Sequence, residues 1–304
     1  MRPIAVTLVF GGPSRERDIS AGSLKPWVTY LSDEPGVSLT VVFVDPDLRA
    51  WRLPERYAYT NTCADFADDL APGDRLDDDA FDALLRAQDL VVPVLHGAYG
   101  EDGVFQRRLE ALGVRFLFSG PDGLAASFDK ARTYEVLAAA GFPVPVHRVV
   151  GREALDEGVG ALHEWVEARL CPATIGGRPR ACAVKPARSG SSYGVTLAAP
   201  GEAPLADAVR CALEHDDRVL VEEILVGTEF SVLVIDGDDG TPHALAPTEV
   251  RARSEVYDTR QKYLHGAGAL LDTPMRDASL VAPVRDAARR AYEALDEGVG
   301  ALHE

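Results

Sequence analysis

Residues 3–10, Pro-Ile-Ala-Val-Thr-Leu-Val-Phe, form a short, nearly continuous apolar run that ends in Gly11-Gly12-Pro13-Ser14 and passes into a helical stretch. Such a run reads as a buried strand, and a strand, a Gly-rich turn and a helix start together place a ligand site at the carboxyl end of a sheet. Residues 38–45 and 89–95 read as further strands, with an acidic loop over 65–79 and a short helix over 81–88 between them. That order specifies an α/β class chain that begins with a doubly wound, parallel-sheet domain. The Gly-x-Gly-x-x-Gly dinucleotide fingerprint is absent after the first strand, which argues against NAD.

The strand over 89–95 runs into His96-Gly97-Ala98-Tyr99-Gly100-Glu101-Asp102-Gly103, and a helix is expected over 104–112. A lone histidine is more often structural, but one at a strand's carboxyl end among three glycines suits a site. After a strand over 114–118 and a turn over 119–123, a helix is expected over 127–140, with Lys130 in its first turn. A cation there opposes the helix dipole; a bound anion would explain it, and a solvated surface lysine is the alternative. Gly141-Phe142-Pro143-Val144-Pro145 breaks the chain and reads as a domain boundary, before a helical stretch over 153–170.

Apolar residues 181–184 and 195–197 then flank Lys185-Pro186-Ala187-Arg188-Ser189-Gly190-Ser191-Ser192-Tyr193-Gly194. A lysine on a strand end before a small, hydroxyl-rich loop can clamp a phosphate; an ordinary polar hairpin has the same composition. Of 31 basic residues only Lys25, Lys130, Lys185 and Lys262 are lysine. Arginine therefore serves for generic charge, and a retained lysine suggests a place where a compact ammonium is preferred. Beyond a helix over 204–214, Glu222 and Glu229 flank a turn, where their oxygens could accept from an adenine amine and ribose hydroxyls. A strand over 243–250, a polar lid-like loop over 257–268 and a last helix over 277–295 complete the reading.

The net charge of −17 argues against a nucleic-acid binder. No apolar run approaches the roughly 18 residues of a membrane span, and the first residues pass straight into a strand, so a cytoplasmic protein is expected. Cys63, Cys171, Cys182 and Cys211 have no metal-ligand spacing and read as reduced thiols.

In combination these segments resemble the D-alanine:D-alanine ligases of the ATP-grasp superfamily. The resemblance spans about residues 3–292 and rests on Gly11-Gly12-x-Ser14-x-Glu16-Arg17-x-x-Ser20, His96-Gly97-x-x-Gly100-Glu101-Asp102-Gly103, Asp129-Lys130, Lys185-Pro186-x-x-x-Gly190-Ser191-Ser192-x-Gly194-Val195, the carboxylates Glu222 and Glu229, and Tyr257-Asp258-x-x-x-Lys262-Tyr263. It implies a substrate-binding α/β domain over 1–120, a central ATP-grasp lobe over 121–221 and a C-terminal lobe over 222–304. It also implies ATP and Mg2+, two D-alanines, an acyl phosphate, peptidoglycan precursor as the product's destination, and a homodimer.

By this resemblance Lys130 and Lys185 hold the α- and β-phosphates, Lys262 the γ-phosphate, and Ser191 and Ser192 the clamp contacts. Glu222 and the backbone near Leu225 take adenine, and Glu229 the ribose. Glu16 binds the ammonium of the first D-alanine, oriented through Ser191 and Tyr263, with His96 near its carboxylate. Two departures stand out. Thr259 replaces the second tyrosine of the family's Tyr-Asp-Tyr, which bears on substrate choice, whereas Tyr263 favours an amino acid over a hydroxy acid as second substrate. Where the family continues into an Arg-x-Asp strand and a Glu-x-Asn-x-x-Pro-Gly turn carrying its metal ligands, residues 293–304 instead repeat residues 153–164. That identity reads as a gene-assembly or recombination junction, or as a genuine duplication. It implies an incomplete last lobe without metal ligands, and little ligation by these 304 residues. The remaining alternatives are an ATP-grasp ligase of another amino acid and a nucleotide-binding pseudo-ligase.

Overall fold

The computed structural model describes residues 2–60, 62–175, 177–251, 270–272, 275, 277–295 and 302–303. The chain divides into two compact units, Met1–Phe128 with Asp296–Glu304, and Asp129–Leu295.

The first unit is built on strands β1 (Ile4–Gly11), β2 (Val37–Val44), β3 (Ala50–Leu53), β4 (Arg75–Leu76), β5 (Leu90–Pro93) and β6 (Phe116–Leu117). They run in the order β6-β5-β1-β2-β3-β4, with a short strand Leu302–His303 antiparallel to β6. β1 pairs in parallel with β2 and with β5. Side chains alternate across a strand, and β1 sorts accordingly. Val6, Leu8 and Phe10 pack with Leu24 and Val28 of α1 (Arg17–Leu31), while Val9 packs with the layer of Phe81 and Leu85 of α3 (Asp78–Arg86) and Phe105 and Leu109 of α4 (Val104–Ala111). Each such side chain contributes about 1.5–3 kcal/mol by leaving water. Helices on both faces of a parallel sheet confirm the doubly wound reading.

Within residues 65–79, read as a loop, lie parts of α2 (Ala64–Ala67) and α3, a single 3-10 turn and β4. The antiparallel β2–β3 pair, which the sequence did not disclose, turns on Asp45. Its carboxylate accepts from the backbone N–H groups of Asp47 and Arg49 at 2.9 Å, from Arg49 Nε at 2.6 Å and from Trp51 Nε1 at 3.2 Å. Burial works against that charge, but these donors outweigh it and hold the carboxyl below its ordinary value.

In the second unit β7 (His147–Val150), β10 (Cys182–Pro186), β11 (Thr196–Ala198) and β12 (Val219–Glu222) form an antiparallel sheet ordered β11-β10-β12-β7; the small hairpin β8 (Ala173–Ile175) and β9 (Arg178–Arg180) stands apart from it. Cys182, Val184, Val219 and Val221 pack under α8 (Gly160–Arg169) and α9 (Glu202–Ala212). The alternate residues Lys185 and Glu222 therefore emerge on the opposite face. A further sheet, ordered β13-β16-β17, contains β13 (Glu229–Ser231), β16 (Thr248–Arg251) and β17 (Leu270–Asp272); β14 (Val234–Asp236) pairs with β15 (Pro242–Ala244).

Three elements differ from expectation. The helix expected over 127–140 is two, α5 (Pro121–Phe128) and α6 (Lys130–Ala139), because Asp129 takes an extended backbone and its side chain caps the N–H groups of Ala131 and Arg132. The strand expected over 243–250 is split into β15 and β16 around Pro247, which has no N–H to donate. The stretch 153–170 is α7 (Glu153–Asp156) followed by α8. Of the repeated dodecapeptide, the first copy thus spans α7 and the start of α8. In the second, residues 293–295 close α10 (Val281–Leu295) and Leu302–His303 form the strand on β6, so neighbours rather than local sequence decide its conformation.

Candidate functional site

The reversal of strand order beside β1 brings the carboxyl ends of β1 and β5 together, the place where open α/β sheets bind ligands. Ser20 ties the two ends: its Oγ accepts from Gly11 N–H at 2.8 Å and donates to Val94 carbonyl at 2.6 Å. Ser14 Oγ accepts from Glu16 N–H at 3.0 Å, and the Glu16 residue is only 4% exposed. Gly97 has φ +70°, and a Cβ there would lie 2.2 Å from Ser14 Oγ and 2.5 Å from Glu16 Oε2. Only glycine lets the backbone come this close.

The same Gly97 donates its N–H to Glu101 Oε2 at 2.8 Å. Burial pushes the Glu101 carboxyl above its ordinary value; the Gly97 donor and His96 oppose this, while Glu16 and Asp102 reinforce it by repulsion. His96 Nε2 stands 3.1 Å from Ser23 Oγ, and Nδ1 3.8 Å from Glu101 Oε1. Asp102 accepts from Tyr99 N–H at 2.9 Å and Val104 N–H at 3.0 Å, locking the turn into α4, in which Tyr99 has φ +77°. Of the sequence-predicted residues, Glu16 thus lies against Gly97, the residue that follows His96. A cavity of about 310 Å³ opens beside His96, lined among others by Ser23, Trp27, Glu101, Gln106 and Phe118.

The second unit gathers Lys130, Lys185 and Glu222. Lys185 and Glu222 sit diagonally on neighbouring strands, since Lys185 pairs with Leu220 and Ala183 with Glu222. Their side chains meet at 2.6 Å between Nζ and Oε1, 19% and 8% exposed. α6 carries the other lysine: Lys130 N–H donates to Ala187 carbonyl at 3.0 Å, and Lys130 Nζ to Ser189 carbonyl at 2.6 Å. The charge that opposed the helix dipole is therefore turned onto the loop that follows β10. One turn further, Tyr134 donates to Glu222 Oε2 at 2.9 Å and accepts from Lys185 Nζ at 3.3 Å. No sequence motif singled out Tyr134; the available signal was its place four residues after Lys130, on one helix face.

The loop between β10 and β11 is held at its base. Arg188 N–H and guanidinium donate to Asp216 at 2.6 and 2.7 Å, with Asp217 as a further partner of the guanidinium. Burial would raise the Asp216 carboxyl, but its hydrogen bonds, led by those of the Arg188 side chain, hold it below the usual value. Ser191 and Ser192 have φ +49° and +60°. Left-handed backbone costs a non-glycine residue about 1–2 kcal/mol, and such strain gathers at ligand clamps. At Gly194, φ +70°, a Cβ would meet His215 at 2.7 Å and Pro186 at 2.8 Å, and the neighbouring Tyr193 stacks on His215 at 5.9 Å.

Glu229 begins β13 and is exposed, and Leu225 is 70% exposed in the turn before it. Neither is brought onto the Lys185–Glu222 pair by any contact among the described residues. Lys262 and Tyr263 lie outside the described residues. Among the described residues, no three His, Cys, Asp or Glu side chains converge to hold a metal ion, and no helix is long and apolar enough to cross a membrane.

Comparison with known proteins matches residues 5–119 to the family model described as D-ala D-ala ligase N-terminus and residues 136–301 to D-ala D-ala ligase C-terminus. The D-alanine--D-alanine ligase of Rhodococcus jostii (strain RHA1) is 34% identical over 313 residues, covering 96% of this chain and 81% of the relative. That of Mycolicibacterium vanbaalenii is 35% identical over 318 residues, covering 96% and 82%. Among solved structures, the VanG D-Ala:D-Ser ligase of Enterococcus faecalis matches with a TM-score of 0.75 at 24% identity, over 99% of this chain and 84% of that one. The D-alanyl-alanine synthetase A of Vibrio cholerae O1 gives 0.74 at 21% identity, over 99% and 83%. The fold is that of these ATP-grasp ligases, and with both halves matched in order the chain belongs to the D-alanine–D-alanine ligase family.

Proposed function

We propose that this protein joins two D-alanines in an ATP-dependent reaction that proceeds through an acyl phosphate and supplies a peptidoglycan precursor. The observation that carries this reading is the Lys185–Glu222 pair on β10 and β12, with Lys130 of α6 bonded to the loop that follows β10, a loop left-handed at Ser191 and Ser192. Two ammonium groups suit a polyphosphate as point charges, and a carboxylate beside them suits a base with an amine donor.

A carboxylate and an amine do not condense in water, so ATP supplies the phosphoryl group that activates the first D-alanine. Lys130 and Lys185 would take the α- and β-phosphates: Lys130 would exchange its Ser189 carbonyl partner for a phosphate oxygen, and Lys185, with three N–H donors, would add a phosphate oxygen while staying beside Glu222. Glu222 and the backbone near Leu225 would receive adenine, and Glu229 the ribose. Ser191 and Ser192 would present hydroxyls from the clamp, and Lys262 would reach the γ-phosphate. Glu16, beside Gly97, would hold the substrate ammonium, with His96 at the substrate carboxylate and Ser191 and Tyr263 orienting the pair. Catalysis of this kind is positioning and charge neutralisation, to which Mg2+, used by the family reaction, would add when bound. A homodimer in the cytoplasm, with lobes meeting near residue 221, belongs to the same reading.

The test is incubation of the 304-residue protein with ATP, magnesium and D-alanine, measuring phosphate release and dipeptide. Phosphate and D-alanyl-D-alanine formed in equal amounts, however slowly, support this reading. Nucleotide binding without turnover would replace this reading with a pseudo-ligase, and turnover only with other amino acids would replace the substrate.

A further inference from the structure

The motif residues leave Tyr134 without a task, yet it sits between two of them. Its hydroxyl donates to one oxygen of Glu222 and accepts from Lys185, while the other oxygen of Glu222 takes Lys185 at 2.6 Å. Its ring packs on His147 at a centroid distance of 5.0 Å, and His147 is the register partner of Glu222 on β7. His147 is held in turn, with Nδ1 2.9 Å from Pro145 carbonyl. The phenol therefore has little freedom to turn. A donor fixed on one carboxylate oxygen sets the plane of the group. Each oxygen of Glu222 keeps a second lone pair for a ligand.

We propose that Tyr134 is a positioning residue for base selection: by holding Glu222 as an oriented acceptor beside the Lys185 donor, it makes the site choose a purine with an amine at position 6 over one with an oxygen there. The inference rests on the nucleotide reading above. Adenine offers a 6-amine donor, the complement of a carboxylate acceptor. Hypoxanthine differs at the same edge by a carbonyl, which sets acceptor against acceptor. Sites built to hydrogen-bond a group reject analogues that lack it, because their own polar atoms are left unpaired. Without the phenol hydroxyl, Glu222 could swing towards Lys185 alone, and the match to the amine would be lost while the ring and its packing on His147 remained.

The experiment titrates the full chain with ATP and with ITP by calorimetry, for the unchanged protein and for Tyr134→Phe. The unchanged protein should bind ATP at least about tenfold tighter than ITP, and Tyr134→Phe should weaken ATP by about tenfold while ITP changes by less than about twofold. A merely structural role would weaken both nucleotides alike, so an unchanged ATP/ITP ratio overturns the proposal. Glu222→Gln gives an independent check: adding Tyr134→Phe to it should leave the ratio where Glu222→Gln alone put it, and a further independent loss would again overturn it. If the unchanged protein binds neither nucleotide, the nucleotide reading itself has failed, a result distinct from binding without discrimination.

Discussion

In the first unit, two carboxylates, Glu16 and Glu101, stand on either side of Gly97, and burial together with mutual repulsion raises the Glu101 carboxyl. In the second unit Lys185 and Glu222 already face each other at 2.6 Å, and Lys130 is turned onto a carbonyl. One cluster concentrates like charge on strand ends whose backbone fixes it in place. The other neutralises itself with long side chains that have alternative partners. A cationic group entering the first relieves repulsion that the fold maintains, whereas an anion entering the second must take a lysine away from an existing partner. Binding in the second unit is therefore an exchange of partners, and its strength depends on a difference between two pairings.

The largest effect that could break this contrast comes from Lys185→Met. Among the described residues Glu222 would keep only Tyr134 as a partner while remaining largely buried, so a loss of about 3 kcal/mol in denaturant unfolding is expected, together with loss of nucleotide binding. Unchanged stability would show that the pair does not keep the second site neutral. Next is Gly97→Ala, which should cost about 2 kcal/mol through its left-handed backbone and displace Glu16. D-alanine affinity should fall with it, measured by calorimetry, while nucleotide affinity stays within about twofold; a variant as stable as the parent would mean that the first site is not rigid. The smallest is Asp216→Asn. The lowered Asp216 carboxyl contributes stability that is present above its unfolded value near about pH 4 and lost as pH falls through its folded value. The variant should be about 1 kcal/mol less stable at neutral pH and show a shallower acid decline in urea midpoints, and an identical acid limb would remove Asp216 from the account of the loop.

Much of this was legible in the sequence because buried strands carry their own signature. Residues 3–10, 38–45 and 89–95 are apolar runs, and the sheet uses each of them. β3, β4 and the β8–β9 hairpin were not visible, since they are short and place Arg52, Arg75, Arg178 and Arg180 among their residues. The glycine motif around His96 could be read as a site, but not the demand on Gly97, which comes from Ser14 and Glu16 on a distant part of the chain. Tyr134 was illegible for the same reason. On a helix an aromatic reads as packing, and only the register of β10 against β12 brings Lys185 and Glu222 to its hydroxyl.

The Ser20 hydroxyl also bears on the order of assembly. It joins Gly11 to Val94, and the second of these bonds spans 74 positions from the serine itself. Contacts so far apart in the chain form only after a large closure entropy has been met. A chain that ends before Val94 therefore lacks one of the two bonds that fasten the turn after β1. The geometry around Glu16 is in this sense a property of the middle of the sheet rather than of its own segment alone.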